Sequence, residues 1–314
     1  MTTEEDTVAA GTGAQVAVAS FDGDPVVQQA VRAGDAAAHA AGVSVCEVTS
    51  LEDLEAVVRL YATIWGGASS PSVPLELLRA FAKAGNYVGG AFDGEDLVGA
   101  CVGFFTTPAE RALHSHIAGV SRQALGRKVG FALKVHQRGW SLQRGLTEIS
   151  WTFDPLVCRN AHFNLVKLAA RADEYLPNFY GTLTDTINRA DDTDRLLVRW
   201  HLRDPDVAAA CAGVNTPAVA EAHLAAGAVV ALGVSNTGEP EPGRLDGRVS
   251  LVAVPPDVEA IRQTRRDLAR QWRVAVRETL TALTAGHAHI TGFDRAGWYI
   301  VHRDGSTPTA RPTG

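Results

Sequence analysis

Two groups of side chains in this chain have a spacing that suits chemistry. His114 and His116 stand two residues apart in LHSHIAGV, which reads as a strand, so both imidazoles share one face. An imidazole there exchanges a proton near neutral pH, unless it is buried against the sheet with both nitrogens satisfied. A few residues on, the turn SRQALGRK carries Arg122, Arg127 and Lys128 around Gly126, and a helix begins near Val129. The first N–H groups of a helix lack internal partners and sit at the positive end of its dipole. A basic turn at that point therefore suits a phosphate-bearing ligand; the alternative is a solvated turn on an ordinary helix.

Other constellations carry less. Arg266, Arg270, Arg273 and Arg277 follow helical steps, and such a row either holds a substrate carboxylate or is solvated beside Asp267 and Glu278. Arg273 and Arg277 are the substrate-binding candidates. His287 and His289 have no evident third ligand, and Cys46, Cys101, Cys158 and Cys211 form no CxxC, so no metal is expected.

The elements that must position these groups follow from the hydrophobic pattern. Leu113–Pro155 reads as strand, basic turn, amphipathic helix ending at Gly145, and strand LTEISWTF. Before it come an Ala-rich helix opened by Asp24-Pro25 and closed by Gly42, a strand, two helices, and a hairpin around Asp93-Gly94. The Ala-rich helix is expected to pack loosely or to serve as an interaction element. After the unit come a helix from Arg159 to about Ala170 and the strand DRLLVRWHL. Beyond these lie the strand GRVSLVAVP, one long helix from Asp257 to Gly286, and a closing hairpin. The order is mixed α/β, and three consecutive strands after the helix pair exclude a doubly wound nucleotide-binding fold.

At 314 residues, with 46% hydrophobic and 20% charged residues, the composition is that of a soluble globular protein. A net charge of −6 argues against a nucleic-acid surface. No apolar run reaches a membrane span, and the acidic start lacks the features of a signal peptide, so a cytoplasmic protein with reduced thiols is expected.

With a phosphate-type turn after its fourth strand, this order resembles the GNAT superfamily of acyl-CoA-dependent N-acyltransferases over about Val43–Leu202. The segments VGFALKVHQR, WTFDPLVCRNAHFNLVKLAA, NFYG and DRLLVRW resemble a subfamily of larger predicted acyltransferases. The family's pyrophosphate motif is R/Q-x-x-G-x-G/A. Here Leu125-Gly126-Arg127-Lys128-Val129-Gly130 keeps the final Gly130, while Leu125 and Lys128 replace the first residue and the first glycine.

The resemblance implies a GNAT-like α/β fold with a C-terminal α/β extension. The chain would then divide into a disordered N-terminus with the Ala-rich helix (1–42), a GNAT-like acyl-CoA-binding domain (43–203), a C-terminal α/β extension or second lobe (204–305) and a tail (306–314). It implies acetyl-CoA or another acyl-CoA as co-substrate. Val120 and Val129 would supply backbone contacts, Gly126 and Gly130 the turn, and Arg122, Arg127 and Lys128 charge for the phosphates. Asn160 would meet the pantetheine arm or simply cap a helix.

For catalysis, His116, His114 and Asp154 are the candidate bases, Asp154 having a helix-capping alternative. The family's tyrosine acid aligns to Leu165, leaving Tyr180 and Tyr175 as substitutes in sequence. The implied activity is transfer of an acetyl or other small acyl group to the amine of a small molecule, with a homodimer left open. The alternatives are a non-catalytic acyl-CoA-binding protein on the same scaffold, or another CoA-thioester reaction such as decarboxylation.

Overall fold

The computed structural model describes residues 23–66, 73–181 and 192–303. Most of the N-terminal segment before the Ala-rich helix, and the tail, lie outside these residues. Helix α1 (Pro25–Ala41) opens as its sequence dictates, with the Asp24 carboxylate accepting from the Val26 N–H at 2.8 Å. Gly42 ends it in the left-handed conformation, at φ 66°.

The expectation that α1 packs loosely is not met. It lies along α4 (Val129–Gln143), and two glycines permit the approach: a Cβ on Gly34 would sit 3.3 Å from the His136 Cα, and one on Gly139 3.3 Å from the Val31 Cα. Arg138 of α4, fully buried, donates to the Leu202 carbonyl at 2.9 Å and to Gln29 at 3.1 Å, tying α1 to the body. Gly34→Val should force the helices apart and remove about 1–3 kcal/mol of stability. The measurement is urea unfolding, where the midpoint should fall at an unchanged slope.

The first sheet has seven strands: β1 (Ser44–Glu47), β2 (Tyr87–Asp93), β3 (Asp96–Phe105), β4 (Ala112–Val120), β5 (Glu148–Phe153), β6 (Arg171–Leu176) and β7 (Arg195–His201). They lie in the order β1-β2-β3-β4-β5-β7-β6. Every neighbouring pair is antiparallel except β4 and β5, which are joined by the α4 crossover and run parallel. Helices α2 (Leu51–Trp65) and α3 (Leu75–Lys83) cover one face, burying Leu54, Val57, Leu60 and Leu78. On the other face, α4 buries Val129, Ala132, Leu133 and Val135, with α1 outside it.

The helix expected after β5 is short: α5 (Cys158–His162) passes into a π-helical turn at Phe163–Lys167. Helices α6 (Pro205–Cys211) and α7 (Ala220–Ala225) then lead to a second sheet. Its strands are β8 (Val229–Val234), β9 (Pro240–Pro242), β10 (Val249–Ala253), β11 (Ala288–Asp294) and β12 (Trp298–Arg303), in the order β11-β12-β10-β8-β9.

The long helix expected here is two helices, α8 (Val258–Thr264) and α9 (Arg266–Ala285), broken at Arg265 with φ −139° and ψ 68°. The break has a use. On a straight helix Arg262 and Arg273 would stand about 16 Å apart along the axis, three turns from each other. Across the break both bond Asp154.

One hydrophobic cluster, running from Leu113 and Trp200 to Trp272 and Tyr299, joins the two sheets. The Tyr299 hydroxyl donates to the Pro155 carbonyl at 2.7 Å across the same junction. No helix among the described residues is long and apolar enough to cross a membrane.

Candidate active site

The site begins where the parallel pair ends. β4 and β5 pair only at Ala112–His114 with Glu148–Ser150. Beyond that point β4 keeps β3 on its outer side as far as Val120, and β5 keeps β7 as far as Phe153. Their inner edges face each other with no ladder between them. The N–H and C=O groups on such edges can take an extended chain carrying amides, as a sheet takes an added strand.

A register shift on β4 sharpens the geometry. Ile117 pairs with Val102 and Ser115 with Gly103, so His116 has no partner on β3 and forms a bulge. A bulge re-aims the side chain it carries. The His116 ring lies 6.4 Å from that of His114, and both stack near Phe104, at 6.0 and 5.2 Å. The two histidines therefore share a face, as their spacing requires.

Their settings differ. Burial, with the charges of His116 and Lys134 adding to it, lowers the pKa of His114 to about 4. Its Nδ1 lies 3.3 Å from the Ser150 hydroxyl. His116 is exposed at the sheet surface, and desolvation also lowers its pKa. Both are neutral at pH 7, and His116 is the one that can meet a solute.

Across the gap, Thr152 stands two residues beyond Ser150, on the face that carries His114. The Tyr180 hydroxyl lies 3.2 Å from Thr152 Oγ1. His116 and Tyr180 thus flank the diverging strands on one face of the sheet. Tyr175 does not join them. Its hydroxyl donates to Asp194 at 2.6 Å, and burial followed by the Asp194 charge raises its pKa.

At the far end of β4 a short 3-10 turn, Arg122–Ala124, leads through Gly126 (φ 83°) and Lys128 (φ 65°) into α4. No side chain caps α4. The Phe131 and Ala132 N–H groups turn back to the Lys128 carbonyl, so those of Val129 and Gly130 remain as the open donors of the first turn. A cavity of about 380 Å³ lies over them, lined by Val120, Gly126, Lys128, Val129 and Gly130. Ala124, Leu125 and Phe131 extend the same wall, and Phe163 and Lys167 of the π-helical turn, with Gly213 and Asn215 after α6, close the other side. Lys128 and Lys167, both exposed, bring two cations to a lining whose other side chains are apolar except Asn215.

Not every expected group arrives there. Arg127 is occupied elsewhere, donating to Asp93 at 2.5 Å and to the Gly42 carbonyl at 2.9 Å, which fastens the β2–β3 hairpin to the end of α1. Arg122 is exposed and outside the lining. Asn160 is half-buried one turn before Phe163, also outside the lining, and Val157 rather than Asn160 holds the cap position of α5.

Three further candidates are consumed by the junction between the sheets. Asp154 accepts from Arg273 at 2.8 and 2.9 Å, from Arg262 at 2.6 Å, and from the Leu156 N–H at 2.9 Å. Burial alone would raise its pKa, but the two guanidiniums outweigh that and hold it well below the usual carboxylate range. A carboxylate so paired accepts no proton from an amine, which corrects its reading as a base. Arg273 is buried in that pair and cannot bind substrate. Arg277 bonds Asp194 at 2.6 Å and Asp192 at 2.7 Å, so it too is committed within the protein.

The strand order, the parallel β4–β5 pair opening into a gap, and the uncapped helix after β4 define a mixed α/β sheet with a cleft at its centre, followed by a second, C-terminal α/β region. No family model matches the chain, and no curated protein matches it. Solved structures do. A ribosomal-protein-alanine N-acetyltransferase from Brucella melitensis is 16% identical, covering 50% of this chain and 99% of that one, with a TM-score of 0.42. An N-acetyltransferase from Staphylococcus aureus is 15% identical, covering 51% and 98%, with a TM-score of 0.42. An acetyltransferase of the GNAT family from Streptococcus pneumoniae is 11% identical, covering 50% and 97%, also with a TM-score of 0.42.

Proposed function

We propose that this protein is an acyl-CoA-dependent N-acyltransferase that moves an acetyl or other small acyl group to the amine of a small molecule. The observation that carries this reading is the unpaired gap between β4 and β5, together with the cavity over the open N–H groups of α4. A CoA thioester has the matching parts in one molecule. Its diphosphate suits the Val129 and Gly130 N–H groups with Lys128 and Lys167 beside them. Its amide-bearing arm suits the inner edges of the diverging strands.

In the reaction the amine nitrogen attacks the thioester carbon. The C–N bond forms and the C–S bond breaks. The proton lost by the amine goes to the neutral His116 imidazole, and the leaving thiolate takes one from the Tyr180 hydroxyl or from water. Backbone N–H groups on the free edge of β4 stabilise the transient oxyanion.

Purified protein supplied with acetyl-CoA and pools of amines and amino acids should release free thiol in an amine-dependent manner. Exchanging Lys128 and Lys167 together for glutamine should weaken CoA binding about a hundredfold or more, each charged contact contributing about 1.5–3 kcal/mol. Calorimetry would read that loss. No thiol release across acyl donors and amines, with CoA binding intact, would favour a protein that holds the thioester without turnover. Leu165 in place of the family's tyrosine is the observation behind that second reading.

A further inference from the structure

A buried lysine sits where the strands part. Lys134 is on α4, one turn beyond Gly130 and Phe131 of the cavity wall, and is only 5% exposed. Its Nζ donates to Ser115 Oγ at 3.0 Å and to Gln137 Oε1 at 2.9 Å, and lies 3.7 Å from the centre of the Trp151 ring. Ser115 is the first residue of β4 past the last parallel pair, and Trp151 is the first of β5 past the same pair. Among the described residues no carboxylate pairs with it.

A buried ammonium held only by neutral acceptors and a ring face is an unfavourable thing to keep in a core. An apolar side chain of similar length would leave the fold as stable or more so. A cost of this kind, retained at one point of a functional cleft, points to use rather than to stability.

We propose that Lys134 is a positioning residue of the acyl-donor slot, its ammonium tying Ser115 on β4 to Trp151 on β5 and so fixing the gap that receives the thioester arm. The inference rests on the acyltransferase reading. Its own content is that the width of the slot is set by a charge on the far side of the sheet from His116. The groups facing this charge are few. Gln137 lies on its own helix. On β3, Cys101 Sγ is 3.5 Å from Ser115 Oγ, and burial raises its pKa. On β5 and β7 there are the rings of Trp151 and Trp200, and through the sheet on β4 lies His114, neutral above pH 5.

Burial lowers the pKa of Lys134 itself to about 8, so it is the member of this group that changes charge just above neutrality. Between about 8 and its ordinary value the unfolded chain binds a proton that the folded one lacks, so this group makes global stability rise with pH there. Donor affinity should move the other way. A merely structural lysine would not separate the two trends.

The test is acetyl-CoA binding by calorimetry from pH 6.5 to 9, with urea unfolding in parallel, on wild type, Lys134→Met and Ser115→Ala. Expected for Lys134→Met are an unchanged or higher urea midpoint and about tenfold weaker binding that no longer depends on pH around 8. Ser115→Ala, which keeps the charge but cuts one tie, should weaken binding less and keep the pH dependence. Wild-type affinity for acetyl-CoA in Lys134→Met would overturn the proposal and leave the acyltransferase reading standing. Should Lys134→Met not fold, a wild-type affinity that is flat from pH 7 to 9 would overturn it as well. Wild type that binds no acetyl-CoA at any pH would overturn that reading, and the slot with it.

Discussion

His116→Ala should lower kcat about 10²–10⁴-fold while leaving CoA affinity within a few-fold, because in the proposed reaction it removes the base and not the donor site. The pH profile gives the sharper signature. A base must be neutral to act, so the rate falls as pH drops through its pKa. Desolvation has moved the His116 pKa below 6.5, and the acidic limb of kcat/KM should therefore lie below that value and vanish in the variant. His114→Ala should leave that limb in place, since His114, with its pKa lowered to about 4, cannot report it. Circular dichroism must accompany the acid points. Between pH 6.5 and about 4 the unfolded chain binds a proton at residue 114 that the folded chain does not, so stability falls on acidification as well. An acidic limb that survives His116→Ala would remove this residue from the chemistry.

Much of the first sheet was legible because its signals are local. Asp24-Pro25 and Ser50 cap helices through their own neighbours, and Asp93-Gly94 turns a hairpin within a few residues. What escaped reading is set by contacts distant in sequence. Gly34 and Gly139 look like helix-weakening residues until α1 and α4 are laid together. The break at Arg265 has no glycine or proline to announce it, and the carboxylate that the arginines on either side of it share lies more than a hundred residues earlier.

The candidate site divides along the same line. Val120, Gly126, Lys128, Val129 and Gly130 could be placed from a strand, a turn and a helix start that are contiguous in the chain. Phe163, Lys167 and Asn215 could not, because a π-helical turn and a loop beyond α6 bring them to the cavity, and their spacing shows no period. Lys134 was hidden differently: on a broad apolar helix face a lysine reads as solvated, and only the burial of that face shows otherwise. Arg127, Arg273 and Arg277 failed in the opposite direction. Cations in a row or a turn attract attention in a sequence, but here their carboxylate partners lie on other elements.

Asp154→Asn should be the most destabilising single exchange at the junction, by about 3–5 kcal/mol, because it strips the charge that compensates two buried guanidiniums. Arg262 and Arg273 are 3% and 1% exposed and cannot regain water without moving α8 and α9 off β5. The amide keeps the size of the side chain, so a loss on this scale would report charge and not packing. The pH dependence has a definite sign. Since the folded-state pKa of Asp154 is depressed, its contribution is complete above the ordinary carboxylate value of 3.8 and is lost as pH falls below it. Urea unfolding at pH 7 and pH 3 would therefore show the wild type converging on the variant in acid. The effect on catalysis should be secondary: variant protein that remains folded at 10 °C should keep kcat within a few-fold, since Asp154 points into the junction and away from the gap between β4 and β5. A kcat loss of 10²-fold or more in folded variant, at unchanged CoA affinity, would return Asp154 to the list of bases and contradict the buried triad as its whole role.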